Sequence, residues 1–127
     1  MSHFSKIKTQ ITDQSLLEEA LTQAGCIILP DKHTIAGFRG EEIPVDICVT
    51  LPKESYEIGF ILADGKYELA ADWWGIHTTD QKSFLNRILQ AYAYLSTLKA
   101  LEKQGFRVAN EEKNPQGEIK LVLRRMV

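Results

Sequence analysis

The fold class that the sequence predicts is a two-layer α+β sandwich: a mainly antiparallel sheet with two helices on one face, in the manner of a split βαβ unit. Three observations lead there. Asp64-Gly65 separates two alternating apolar runs, which is a strong short-range hairpin signal. Two other segments, Leu17 to Ala24 and Phe84 to Leu101, carry apolar residues at three- and four-residue spacing, so each has one side to bury. Both helical patterns lie between strand patterns and end on Ala-Leu-x-x-x-Gly, at Ala20 to Gly25 and Ala100 to Gly105, a faint internal repeat.

With 127 residues, the chain is read as a single domain, 1–127, able to build a core without a metal or a disulfide. A hydrophobic content of 44% with 25% charged residues fits neither a disordered nor a membrane class. The net charge of −2 offers no overall attraction for polyanions, so nucleic acid is not the expected partner. Cys26 and Cys48 belong to no Cys-x-x-Cys and have no His at ligand spacing. No metal or cofactor is therefore expected, and two isolated thiols suit a reducing compartment. No stretch approaches the ~18 apolar residues of a spanning helix, and the N-terminus lacks a signal pattern. Without membrane insertion or export, a cytoplasmic protein is expected.

Alternation from Phe4 to Ile11 predicts an opening strand. Thr12 and Asp13 can cap the helix that carries Leu17, Ala20, Leu21 and Ala24, with Gly25 at the position after its end. Cys26 to Leu29 is a short apolar strand stopped by Pro30. Asp31 to Pro44, rich in Gly, Pro and charge, is read as the longest irregular segment. Val45 to Leu51, Tyr56 to Leu62 and the stretch from Lys66 through Trp74 alternate in turn, which predicts a three-stranded meander. In the last of these, Tyr67, Leu69, Ala71 and Trp73 point one way, and Glu68, Ala70, Asp72 and Trp74 the other. Thr78 or Thr79, with Asp80, opens a long helix whose stripe runs from Phe84 to Leu101. The remaining segment is a hairpin turning at Asn114-Pro115-Gln116-Gly117.

If the helices cover one face of the sheet, alternation leaves Lys6, Lys8, Glu68, Asp72, Trp74, Arg107, Lys120 and Arg124 on the other. Trp and Arg are enriched at protein interfaces, so Trp74, Arg107 and Arg124, with Asp72 and Lys6, form a candidate docking face for a protein partner. The structural alternative is that Trp74 folds onto a loop while the charges only solvate the sheet. Tyr94 falls opposite the apolar stripe of the long helix and is an aromatic candidate for the same role. Gly37-Phe38-Arg39-Gly40 is read first as turn chemistry, with Arg39 kept as a candidate anion contact. Asp72 and His77 are close enough in sequence for an acid/base pair in a small-molecule pocket. No catalytic signature accompanies them, so a non-enzymatic role is expected.

Several segments are informative as a set: the opening Met1 to Thr9, then Gly37 to Gly40, Tyr56 to Phe60, Tyr67 to Asp72, Ala91 to Tyr94, Gln104 to Phe106 and Leu121 to Arg125. In order and spacing they resemble a family of small proteins of cyanobacteria and algal plastids, the hypothetical chloroplast reading frame thirty-five family. The sequence departs from plastid members in Trp73-Trp74-Gly75 and in Met126. The resemblance implies a place in the cytoplasm or plastid stroma of a photosynthetic cell, and it implies no reaction, cofactor or catalytic residue.

Overall fold

In the computed structural model, which describes residues 3–126, Asp64 (φ +53°) and Gly65 (φ +78°) both take the left-handed conformation that a tight two-residue hairpin needs. The elements follow in the order β1 (Phe4–Lys8), α1 (Gln14–Gln23), β2 (Ile27–Ile28), β3 (Thr34–Ala36), β4 (Glu42–Pro44), β5 (Ile47–Thr50), β6 (Ile58–Ala63), β7 (Lys66–Asp72), α2 (Gln81–Lys103), β8 (Phe106–Lys113) and β9 (Ile119–Arg125). The chain forms two compact units, Met1–Tyr92 and Ala93–Val127.

The first unit is the α+β sandwich. Its five-stranded sheet has the order β1-β7-β6-β5-β2, and all of its pairs are antiparallel. Asp13 caps α1 by accepting from Leu16 N, and Gly25 follows that helix at φ +87°, as the sequence predicts. Leu17 and Leu21 of α1, with Phe84 and Ile88 of α2, pack on Val49, Ile58, Phe60 and Leu69 of one sheet face. Burying such side chains is worth about 1.5–3 kcal/mol each, which holds the helices to this side.

The opposite face differs from expectation. Residues 31–44 are not irregular: β3 and β4 form a hairpin whose Ile35 and Ile43 pack with Val45, Cys48, Ala70, Phe4 and Ile61. Ile35 shares a buried cluster with Ala70 and Val45, and Gly59 leaves room for Val45, since a Cβ there would lie 2.3 Å from Val45 Cγ1. Asp72 consequently lies fully buried rather than on an open surface. The strand also stops earlier than alternation suggests. Asp72 accepts from Trp74 N and turns Trp73–Gly75 into a single 3-10 turn. Trp73 still packs inward, its ring 5.8 Å from that of Phe84.

In the second unit, among the described residues β8 and β9 pair only with each other, as a separate two-stranded sheet with a bulge between Val108 and Asn110. Arg107, Lys120 and Arg124 therefore do not belong to the sheet that carries Lys6 and Asp72. Asp80 caps α2, accepting from Ser83 N at 2.8 Å, in place of the threonines. No helix of the described residues is long and apolar enough to cross a membrane.

Candidate functional site

Beyond the end of β7, an open groove of about 550 Å³ is lined by Phe38, Lys53, Glu54, Ser55, Tyr56, Trp74, Gly75 and His77. Three segments meet there because of Asp72. Its Oδ2 accepts from Phe38 N (2.8 Å) and His3 N (3.2 Å), and its Oδ1 from Trp74 N (3.2 Å). A fully buried carboxylate persists when its oxygens are met by such donors. Asp72 is thus the tie that places two aromatic walls and the N-terminal segment around one opening.

Trp74 is 64% exposed, yet it is held on both sides. The Phe38 ring meets it edge-on at 5.2 Å, and the His3 ring lies tilted at 5.1 Å. Such aromatic pairs contribute about 0.5–1.5 kcal/mol beyond their area. Gly75 admits the third aromatic, since a Cβ there would sit 2.0 Å from the Tyr56 ring. Lys53 of the groove lining and Arg39, next to its Phe38 wall, stand on unusual backbone, at φ +67° and φ +70°, a conformation that costs an ordinary residue on the order of 1 kcal/mol or more. Arg39 stacks 5.6 Å above the Phe38 ring.

Glu54 closes one end. Its Oε2 accepts from His77 N (2.8 Å), Thr78 N (2.6 Å) and Thr78 Oγ1 (2.6 Å). The Thr78 hydroxyl, with help from the two backbone amides, holds the Glu54 carboxyl below its usual range. A depressed folded-state pKa stabilises above the unfolded value and ceases to do so as pH falls through the folded one. The His77 and Thr78 amides should therefore stay protected through the ordinary carboxylate range and loosen only in stronger acid. Amide shifts followed against pH would reveal this, and Glu54→Gln should abolish the transition.

The sites named from sequence scatter across the molecule. Trp74 lines the groove and Arg39 stacks on the Phe38 ring that forms one of its walls, while Asp72 is buried and bonded to the backbone of both Phe38 and Trp74. Lys6 is exposed on β1 opposite Ala70. Asp72 and His77 do not make an acid/base pair: Asp72 is enclosed and committed to backbone donors, while His77 stands exposed on the groove wall. In the second unit, the Tyr94 hydroxyl donates to Glu111 Oε2, which raises the tyrosine pKa. Arg107 and Arg124 face each other across β8 and β9. Lys53, Glu54, Tyr56 and Gly75 are not singled out by sequence reasoning: Pro52 to Ser55 simply separates two alternating runs, and nothing local says what that link faces. Neither thiol is activated. Burial raises Cys26 and pushes Cys48 up to about 11, and the two pack on opposite faces of the sheet. Among the described residues no group of His, Cys, Asp or Glu could hold a metal ion.

Residues 20–122 match the family model described as "Protein of unknown function (DUF1257)". The chain is 36% identical to the "Uncharacterized protein ycf35" of Pyropia yezoensis, 35% to that of Guillardia theta and 31% to that of Cyanophora paradoxa. Each alignment covers 98% of both sequences. No solved structure matches the chain. Matches over nearly the full length on both sides show that the chain belongs to the DUF1257 family of ycf35 proteins.

Proposed function

We propose that this chain is a non-enzymatic docking factor, working in the cytoplasm of a photosynthetic cell or in the plastid stroma, whose Trp74 groove takes an acidic segment of a protein partner that also carries an apolar side chain. The observation that carries this reading is a tryptophan 64% exposed and yet tied through its backbone to a buried carboxylate. A large aromatic left in water loses burial energy, and one fixed in place gives up little entropy when a partner covers it. Trp is also among the residues most often dominant at interfaces. Charge complementarity selects the acid: Arg39 and Lys53 flank the groove, while the Glu54 carboxylate is engaged by three donors.

Trp74→Ala should keep the fold, at a cost of no more than about 1–3 kcal/mol for the two ring contacts it removes, and weaken capture of the partner by about 2 kcal/mol or more, the scale of an interface hot spot. Arg39→Glu should weaken it as well, more so at low salt. The test is side-by-side purification from photosynthetic cell extract with the wild type and both variants, followed by titration of the recovered partner's segment as a synthetic peptide. Equal recovery on all three would remove the proposal.

A second reading uses the same groove, whose volume falls in the range of small-ligand sites. In it, Trp74, Tyr56 and His77 would bind a flat anionic molecule above Asp72. Tight binding of a small molecule to the purified chain, lost in Trp74→Ala, with no protein recovered in the purification, would favour it.

A further inference from the structure

The two edges of the β8–β9 hairpin are unlike. On β8 the edge is blunted: a bulge interrupts it between Val108 and Asn110, Asn110 Oδ1 takes the Glu111 N–H, and Glu111-Glu112-Lys113 ends it in charge. These are devices by which proteins keep a strand from pairing with another chain. β9 has no bulge, and its charges, Lys120, Arg124 and Arg125, are of one sign and leave an apolar run between them. Ile119, Leu121, Val122 and Leu123 run along it without a bulge, Val122 and Leu123 are exposed at 46% and 38%, and no other strand of the described residues pairs with its outer edge.

Two bonds set the phase of that edge. Met126 N donates to Gly105 O and Asn114 N to Glu118 O, so Phe106 with Arg125 and Lys113 with Ile119 are pairs that do not bond each other. By the two-residue period, Ile119, Leu121, Leu123 and Arg125 turn their own N–H and C=O groups away from β8. A second strand must meet those four.

We infer that β9 pairs antiparallel with β9 of a second copy of this chain, about a two-fold axis at Leu121, to make a continuous four-stranded sheet. Charge chooses the register. With Leu121 opposite its own copy, Ile119 meets Leu123, Lys120 meets Val122, and Glu118 meets Arg124. One step of two residues toward the C-terminus would put Lys120 against Arg124, and one step the other way would put Lys120 against Lys120. Both are like-charge pairs, which an antiparallel sheet disfavours. The chosen register also gives Arg124 a carboxylate; within one chain it faces another cation, Arg107. Each copy contributes the same patch, as a two-fold interface requires.

The experiment is a concentration series of the full chain by light scattering coupled to gel filtration. A dimer is expected, weakened about tenfold or more by Arg124→Glu, which opposes two carboxylates, and restored by adding Glu118→Arg. Leu121→Cys provides an independent reading, because a bonded antiparallel pair holds its Cα atoms at about 5.5 Å, within disulfide reach. Oxidation with copper phenanthroline should cross-link that variant into a covalent dimer, while the wild type, whose Cys26 and Cys48 are buried, stays uncross-linked. A wild type that is monomeric throughout the series, a dimer indifferent to Arg124→Glu, or a folded Leu121→Cys chain that does not cross-link would each overturn the inference.

Discussion

Replacing Asp72 by Ala is expected to lower the stability of the fold by about 3–5 kcal/mol, because three backbone N–H groups lose a charged acceptor inside the protein. The loss should appear as a lower urea midpoint with an unchanged slope. Asp72→Asn separates the contributions. The amide keeps the volume and one oxygen, so it can still serve Phe38 N and His3 N together but must turn its –NH2 toward Trp74 N. A smaller loss, about 1–2 kcal/mol, is expected, with Trp74 released before Phe38. Tryptophan emission and its quenching by acrylamide report that release directly. Equal stability of wild type and Asp72→Ala would show that the carboxylate does not tie the three segments together.

Gly59→Ala is expected to cost about 2–3 kcal/mol, at the upper part of the range for forcing an atom into a packed interior. The new methyl would have to sit 2.3 Å from Val45 Cγ1 and 2.9 Å from its Cβ, and neither the central strand nor the buried Val45 can yield cheaply. Because Val45 is what the methyl meets, Val45→Ala should offset part of the loss, so that the double variant is more stable than the two single losses predict. Urea denaturation of the four chains decides the matter. Strict additivity would mean that Val45 does not lie over Gly59.

What could be read from the chain and what could not divides by range. Asp64-Gly65, the Asp13 cap and the Gly25 stop act within a few residues, and each forms where its local chemistry predicts. The inward and outward sides of β7 follow from a two-residue period that no distant contact alters. The covering of the second sheet face was different in kind. Ile35 and Ile43 are two apolar residues in a stretch otherwise rich in Gly, Pro and charge, too few for periodicity to register, and only the Ala70 and Gly59 surface gives them something to bury. Alternation also carried the strand through Trp74, because it cannot see a side chain bonding its own backbone. Asp72 accepting from the amide two residues ahead is a turn signal, and it prevailed over the strand pattern.

The same mechanism explains how much of the candidate site was legible. Trp74 was identified for its size, and Arg39 for its glycine-flanked loop, but nothing in the sequence says that Trp74 and Phe38, the residue before Arg39, share one carboxylate. Glu54 and Tyr56 entered through a turn whose place opposite Gly75 depends on the whole sheet. A buried polar residue that organises several loops gives no periodic signal, so it is found only once the burial is known.

The account rests on Asp72 holding an exposed Trp74 in place, and amide hydrogen exchange at Phe38 and Trp74 tests this most directly. Bonded to a buried carboxylate, both amides should exchange orders of magnitude more slowly than in an open chain, even though the indole beside one of them faces water. Exchange of the Phe38 and Trp74 amides at open-chain rates would contradict it.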